Sequence, residues 1–255
     1  MELWTYEHTV TLLPALAAMV VIALVLRFFL GKKPLQIRMI PFAVLACILV
    51  ALEIGKQVLS LARGYDLYHL PLHFCSLFIF VLPVMAFYRG KHMQTVSAIT
   101  SAITAALFLL MLIYPNLIYP AGAVSGFFGD FFNFHTVVFH NMVMLEFLLI
   151  LALNLHTPAP KGELKGIVLF VLCFCAVSAT MAQILQTNYA NYYQCNVPVF
   201  EALRQSMQQA LGYIPTQLIY ILIVSALNVV FVLLSYGLYR LAYRLVMPVK
   251  EKLPQ

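Results

Sequence analysis

Within eight residues, His69-Leu-Pro-Leu-His73-Phe-Cys75-Ser76, the chain gathers two imidazoles, a thiol and a hydroxyl at the head of a run that is otherwise apolar to Tyr88. A thiol or hydroxyl beside an imidazole is the minimum for nucleophilic acyl transfer, because the ring accepts the proton that the nucleophile must lose. With His135 and His140 added, the same groups are also suitable ligands for zinc or copper. Ionisable groups in apolar segments of membrane length cost about 2.5–3.5 kcal/mol each on insertion scales, so they face protein or trapped water and mark a site.

Other polar residues fall where they could join this group. Glu53, Lys56, Gln57 and Ser60 recur at i, i+3, i+4 and i+7 and make one stripe of a helix. His140 and Asn141 lie about 7 Å beyond His135 at about 1.5 Å per residue. Gln183, Gln186 and Asn228 end or interrupt later apolar runs. For acyl transfer, Cys75 is the first candidate nucleophile and Ser76 the second. His140 is the preferred base, His73 orients it or donates to the oxyanion, and His135 and Glu53 complete the catalytic set. Lys56 suits a lipid phosphate, with Asn141 and Gln183 beside the substrate. Two other readings stand next to this one. His69, His73, His135 and His140 could hold a metal or haem, although their spacing matches no closed metal motif. Glu53, Lys56, Asn141, Gln183 and Asn228 could hold a small polar ligand for binding or transport, although no internal repeat or pair of broken helices supports a transporter. Glu53 and Lys56, one turn apart, also suit simple mutual neutralisation.

These groups need helices to position them, and the composition says which kind. Charged residues are 9% of the 255, against about a quarter in soluble domains, and 63% are hydrophobic. Apolar runs near Val10–Leu26, Ile40–Leu61, Leu70–Tyr88, Met93–Tyr114, His135–Leu155, Gly166–Leu185 and Gln217–Leu245 each approach the ~20 residues of a membrane span. The expected fold is all-α, a polytopic bundle of seven transmembrane helices forming one domain over 1–255. Arg27, Lys32, Lys33 and Arg38 follow the first run rather than preceding it, which marks a span and not a cleaved signal. With the N-terminus outside and the C-terminus inside, twelve of the 15 Lys and Arg are inside, and only Lys56, Arg63 and Arg204 are outside. Trp4, Tyr65, Tyr68, Tyr189, Tyr192, Tyr193 and Tyr213 then form an outer aromatic belt. The net charge of +6 is explained by topology and not by nucleic acid. A multi-pass protein of the cell membrane follows, with membrane lipid as its partner, no cofactor implied, and the oligomeric state open.

That topology puts the polar groups at the outer end, in a cavity lined by spans two, three, five and six, and leaves the inner half comparatively bare. His69, His73 and Ser76 share one face if the helix already exists at His69, with Cys75 about 160° from His73, whereas Pro71 in a first helical turn would put His69 just outside the helix with its direction free. His135 and His140 are about 140° apart and share a site only if His135 belongs to a frayed helix mouth. Ser97, Ser101 and Thr104 with Ala98, Ala102 and Ala105 form a small-residue packing stripe. The loop from Pro115 to Phe134 reads as interfacial or re-entrant. Pro198 to Ala210 reads as a short amphipathic helix capped by Asn196 and covering the cavity. Of five cysteines, Cys75 and Cys195 could pair in a disulfide that would remove the nucleophile, and Cys173 and Cys175 point to opposite sides of their helix.

Glu53-Ile54, Leu70-Pro-Leu-His-Phe-Cys-Ser76, Phe134-His-Thr-Val-Val-Phe-His140, and Asn191-Tyr192 followed by Leu211-Gly-Tyr-Ile-Pro215 together resemble the bacterial YwaF-type membrane proteins and vertebrate transmembrane protein 164. The resemblance spans about Glu53 to Pro215. It implies a phospholipid acyltransferase working through a cysteine and a histidine, or more distantly a fatty-acid-ester hydrolase using a threonine and a histidine. It carries over His73 and His140 directly and adds Asn191 and Tyr192 on the substrate side. It sets Leu72 where the vertebrate cysteine stands, with Cys75 a neighbour, and finds no threonine on the second span.

Overall fold

A computed structural model describes residues 4–119, 122–159 and 162–247. Lys161, Lys250 and Lys252, and positions 120–121 of the glycine-containing loop, lie outside the described residues. The described chain is helical, with eight α-helices: α1 (Tyr6–Leu30), α2 (Leu35–Ala62), α3 (Phe78–Phe87), α4 (Met93–Ile113), α5 (Phe131–Ala152), α6 (Glu163–Leu185), α7 (Pro198–Leu211) and α8 (Tyr213–Val246). Six of them, all but α3 and α7, are long and apolar enough to cross a membrane. Large apolar side chains such as Val21, Leu24, Leu222 and Leu234 are exposed on the outside of the bundle, where lipid rather than water is the matching solvent.

Each long run became a helix of about the expected extent, but the third did not. The α-helical part starts at Phe78, preceded by a 3-10 turn at Phe74–Leu77. Leu70 is extended, with φ −56° and ψ 140°, as the clash with a following proline ring requires, and His73 is extended as well. His69, His73 and Ser76 therefore share no helical face. At ten residues, α3 is about 15 Å long, short of a full span.

α4 is the central helix and packs against α3, α5, α6 and α8. The small-residue stripe explains why: Ser97, Ala98, Ser101, Ala102, Thr104 and Ala105 are all buried, letting neighbouring backbones approach closely. Their hydroxyls are satisfied locally, Thr100 donating to the Val96 carbonyl at 2.9 Å and Ser101 to Ser97 at 2.8 Å. Asp130 caps α5 by accepting from the Phe132 amide at 3.0 Å and pairs with Arg63 at 3.1 Å, which joins the adjacent ends of α2 and α5.

The opposite end is not bare. Glu163 accepts from Gln94 at 2.6 Å and from the Ala159 amide at 3.0 Å, lies 3.1 Å from His156 Nε2, and accepts from the Tyr236 hydroxyl. Ser101 Oγ is 3.0 Å from His156 Nδ1, and Tyr239 donates to the His156 carbonyl at 2.7 Å while stacking on its ring. Tyr236, Tyr239 and Tyr243 recur at helical spacing, so α8 presents them as one row. This network clamps α4, α6, α8 and the loop after α5. Removing one partner leaves the others buried and unpaired, so Glu163→Ala is expected to cost about 3–5 kcal/mol and Glu163→Gln less. Thermal unfolding in detergent measures both, and equal stability of Glu163→Ala and wild type would remove the clamp.

Candidate functional site

α2 ends and α5 begins at the same end of the bundle, and there the polar stripe of α2 meets the histidines. Glu53, 5% exposed, accepts from Lys56 Nζ at 2.7 Å and from Gln57 at 2.7 Å on one oxygen; its other oxygen lies 3.2 Å from His135 Nε2. The last contact is a close approach rather than an aligned hydrogen bond. Glu53 thus neutralises Lys56 and lies against the His135 ring. Further along the stripe, Gln57 donates to the His69 carbonyl at 2.7 Å, and Ser60 Oγ lies 2.7 Å from His69 Nδ1. His69 stacks on Phe132 at 4.6 Å, so its contacts fix the irregular segment after α2. His73 Nε2 is 3.0 Å from the Tyr68 carbonyl, a contact that assigns the proton to Nε2. Burial holds both imidazoles below their ordinary range.

His140 is bound differently. Its Nδ1–H donates to the Thr136 carbonyl one turn back at 2.6 Å, and its Nε2 is buried without a hydrogen-bond partner. The edges of Tyr119 and Phe139 flank the ring. Asn141 donates to the Tyr119 hydroxyl at 3.1 Å and to the Val137 carbonyl at 2.9 Å, so it supports the wall behind His140.

A cavity of about 510 Å³ collects most of the candidates: Glu53, Lys56, His69, His73, Cys75, Ser76, His135, His140 and Asn191 all line it. The 3-10 turn delivers Cys75 and Ser76. α5 is helical from Phe131, so His135 is not frayed, yet both of its histidines reach the cavity. The remainder of the lining is largely apolar, with Leu110, Ile118, Phe139, Leu227 and Phe231. Leu227 is 63% exposed and belongs to the outward row Ile223, Leu227, Val230 and Leu234, so the cavity has a rim at the lipid-facing side of α8.

The walls are α2, the segment before α3, α4, α5 and α8, whereas α6 contributes none of the lining. Gln183 donates to the Tyr192 carbonyl at 2.9 Å and accepts from Tyr213, away from the cavity. Tyr192 is buried, with its hydroxyl 3.0 Å from Ser225 Oγ. These two and Asn141 hold the site's surroundings rather than its surface. The roof is the loop that supplies Asn188, Ala190, Asn191 and Asn196; α7, expected to cover the cavity, packs instead on α8. Asn196 does not cap α7, since Val197 occupies that position and Asn196 accepts from Asn188 at 2.9 Å. All five cysteines are free, so Cys75 and Cys195 are not joined. Among the described residues, no three His, Cys, Asp or Glu side chains converge as a metal site. Tyr119, Phe139 and Phe231 were not singled out by spacing, because aromatic residues in apolar runs look like packing.

A model of the TMEM164 family matches residues 3–236. The chain belongs to the TMEM164 family. No curated protein and no solved structure matches it. In this TMEM164-family chain the histidine motifs on either side of the cavity, and the Asn191 loop above it, lie inside the matched region.

The loop is anchored from α7. Glu201 accepts from the Cys195 amide at 2.8 Å and from Arg204 at 2.6 Å, and the Arg204 guanidinium holds its carboxyl down at about 2. The unfolded value is about 4.3, so this contribution is fully present above that pH and is lost as pH falls towards 2. The thermal midpoint of wild type is expected to drop as pH is lowered from 5 to 3 (about the unfolded Glu range), and that of Glu201→Gln to drop less. Equally steep profiles would show that the carboxylate takes no part.

Proposed function

We propose that this TMEM164-family protein is an intramembrane lipid acyltransferase or acyl-ester hydrolase. The observation that carries the reading is His140: its Nδ1–H is committed to Thr136, which leaves Nε2 as a lone pair without a partner in the cavity wall. An unsatisfied buried acceptor costs about 1–3 kcal/mol, and a thiol, hydroxyl or substrate donor would remove that cost. In the reaction, His140 Nε2 takes the proton of the Cys75 thiol, or of the Ser76 hydroxyl, as the sulfur or oxygen attacks the ester carbonyl. The ester C–O bond breaks and the leaving alkoxide takes the proton back from His140. A lysolipid hydroxyl or water then gives its proton to His140 and attacks the acyl-enzyme, whose thioester or ester bond breaks, and the released sulfur or oxygen takes that proton back from His140. His73 and the Glu53–His135 pair orient groups in the site, and Lys56 meets the lipid phosphate with Asn191 above it. The rim at Leu227 supports entry from the bilayer.

The same reading sets the topology. The apolar stretch from Leu70 through α3 to Tyr88, extended and 3-10 before the helix, carries the chain back through the membrane, giving seven passages in a single transmembrane domain, with the N-terminus outside the cell membrane, the C-terminus inside and the site in the outer leaflet. The twelve-to-three division of Lys and Arg supports that orientation.

Labelling of lipid-reconstituted protein with a lipid-like probe for thiols and serines tests the chemistry. Labelling is expected at one residue, lost in Cys75→Ala or Ser76→Ala, and slowed by about 10²–10⁴-fold in His140→Ala. No labelling above background, or labelling indifferent to His140→Ala, would end the enzyme reading.

A further inference from the structure

α7 is amphipathic, yet the side it turns to the protein is the polar one. Glu201, Arg204 and Gln208 bond to one another, Arg204 reaches Gln217 of α8 at 3.3 Å, and its guanidinium lies over the Tyr220 ring. At about 100° per residue, Val199 and Leu203 fall on the other side, with Phe200 and Leu211 on the flank between. They are exposed, Val199 by 76% and Phe200 by 61%. This apolar side continues into exposed Ile214, Leu218 and Leu222 of α8, a helix long and apolar enough to cross a membrane. The acid and the base of α7 are spent on each other, so its outward side offers no charge to an acidic or basic partner.

We propose that α7 docks on the lipid surface, lying in the plane of the headgroup and acyl boundary with Val199, Phe200, Leu203 and Leu211 inserted. Because no basic cluster faces outward, docking is independent of anionic lipid. The full chain in phosphatidylcholine vesicles tests this, with Trp4→Phe removing its single tryptophan. Leu203→Trp is expected to emit at shorter wavelength than Gln205→Trp. It should be quenched several-fold more by lipid brominated near the head of the acyl chain, and less by aqueous iodide. Added phosphatidylglycerol should leave that pattern unchanged, and a pattern that requires it would overturn the proposal. Equal iodide quenching of the two variants overturns docking on lipid. Shielding of Leu203→Trp from both quenchers, which means that a second copy covers the helix, overturns it as well. The wild-type chain supplies a reading that needs no substitution: a diazirine-bearing phosphatidylcholine is expected to label peptide 198–211, and labelling confined to the spans overturns the proposal. Neither readout passes through catalysis, so this proposal and acyl transfer fail separately.

Discussion

The Glu53 carboxylate is buried where α2 faces α5, and it draws Lys56, Gln57 and His135 around itself. A charge at that position would be costly without partners, and each partner that offsets the cost also places something else. Gln57 reaches on to the His69 carbonyl and accepts from Tyr65, which fixes the start of the irregular segment after α2. His135 is set against Phe139 on α5, next to His140. The segment so fixed is the one that delivers His73, Cys75 and Ser76 to the cavity.

The rigidity that makes such placement possible comes from the small residues of α4. Close approach of backbones depends on Ala98, Ala102 and Ala105, and the serines and threonines between them fold their hydroxyls back on their own helix. Ser178 of α6 adds a tie from the far side by donating to the Leu72 carbonyl at 2.9 Å. The chain around Pro71 is therefore held from α2 and from α6. An extended stretch can persist there because side chains satisfy its backbone groups.

Helices were legible in the sequence because lipid and the bundle core both select long apolar runs, and the α2 stripe was legible because it is local. Contacts between residues far apart in the chain were not. Nothing in spacing pairs Glu53 with His135 rather than His140, or brings His156 to Tyr239 across 83 residues. Two local readings went astray for identifiable reasons. Pro71 suits a helix start, whereas Leu70 and His73 are extended and the α-helix begins at Phe78. α7 was read as a cover because amphipathic helices usually turn their apolar side inward, whereas this one has an ion pair that α8 receives and an apolar side that lipid can receive. The His156–Glu163 network left a trace in sequence, the tyrosine row of α8 beside an isolated histidine and glutamate, but tyrosine rows in apolar helices look like interface anchors.

The two ends of the bundle show how partners separate a scaffold from a site. Ser101, His156 and Glu163 have the residue types of a hydrolytic triad, with 3.0 Å and 3.1 Å contacts in sequence along the imidazole. Yet Ser101 is fully buried, its hydroxyl is given to Ser97, and none of the three lines the cavity. The Ser101 hydroxyl is already bonded within the bundle, and the contacts of the three tie α4, α6 and the loop after α5 together. At the other end, the Nε2 of His140 is unpaired beside a cavity, and Asn141 Oδ1 is unpaired as well. The same fold bonds the hydroxyls of Thr100, Ser101 and Thr104 within α4. It leaves a proton acceptor open within a wall shared with a thiol, and under the proposed acyl-transfer reading that open lone pair is the one that would take the nucleophile's proton.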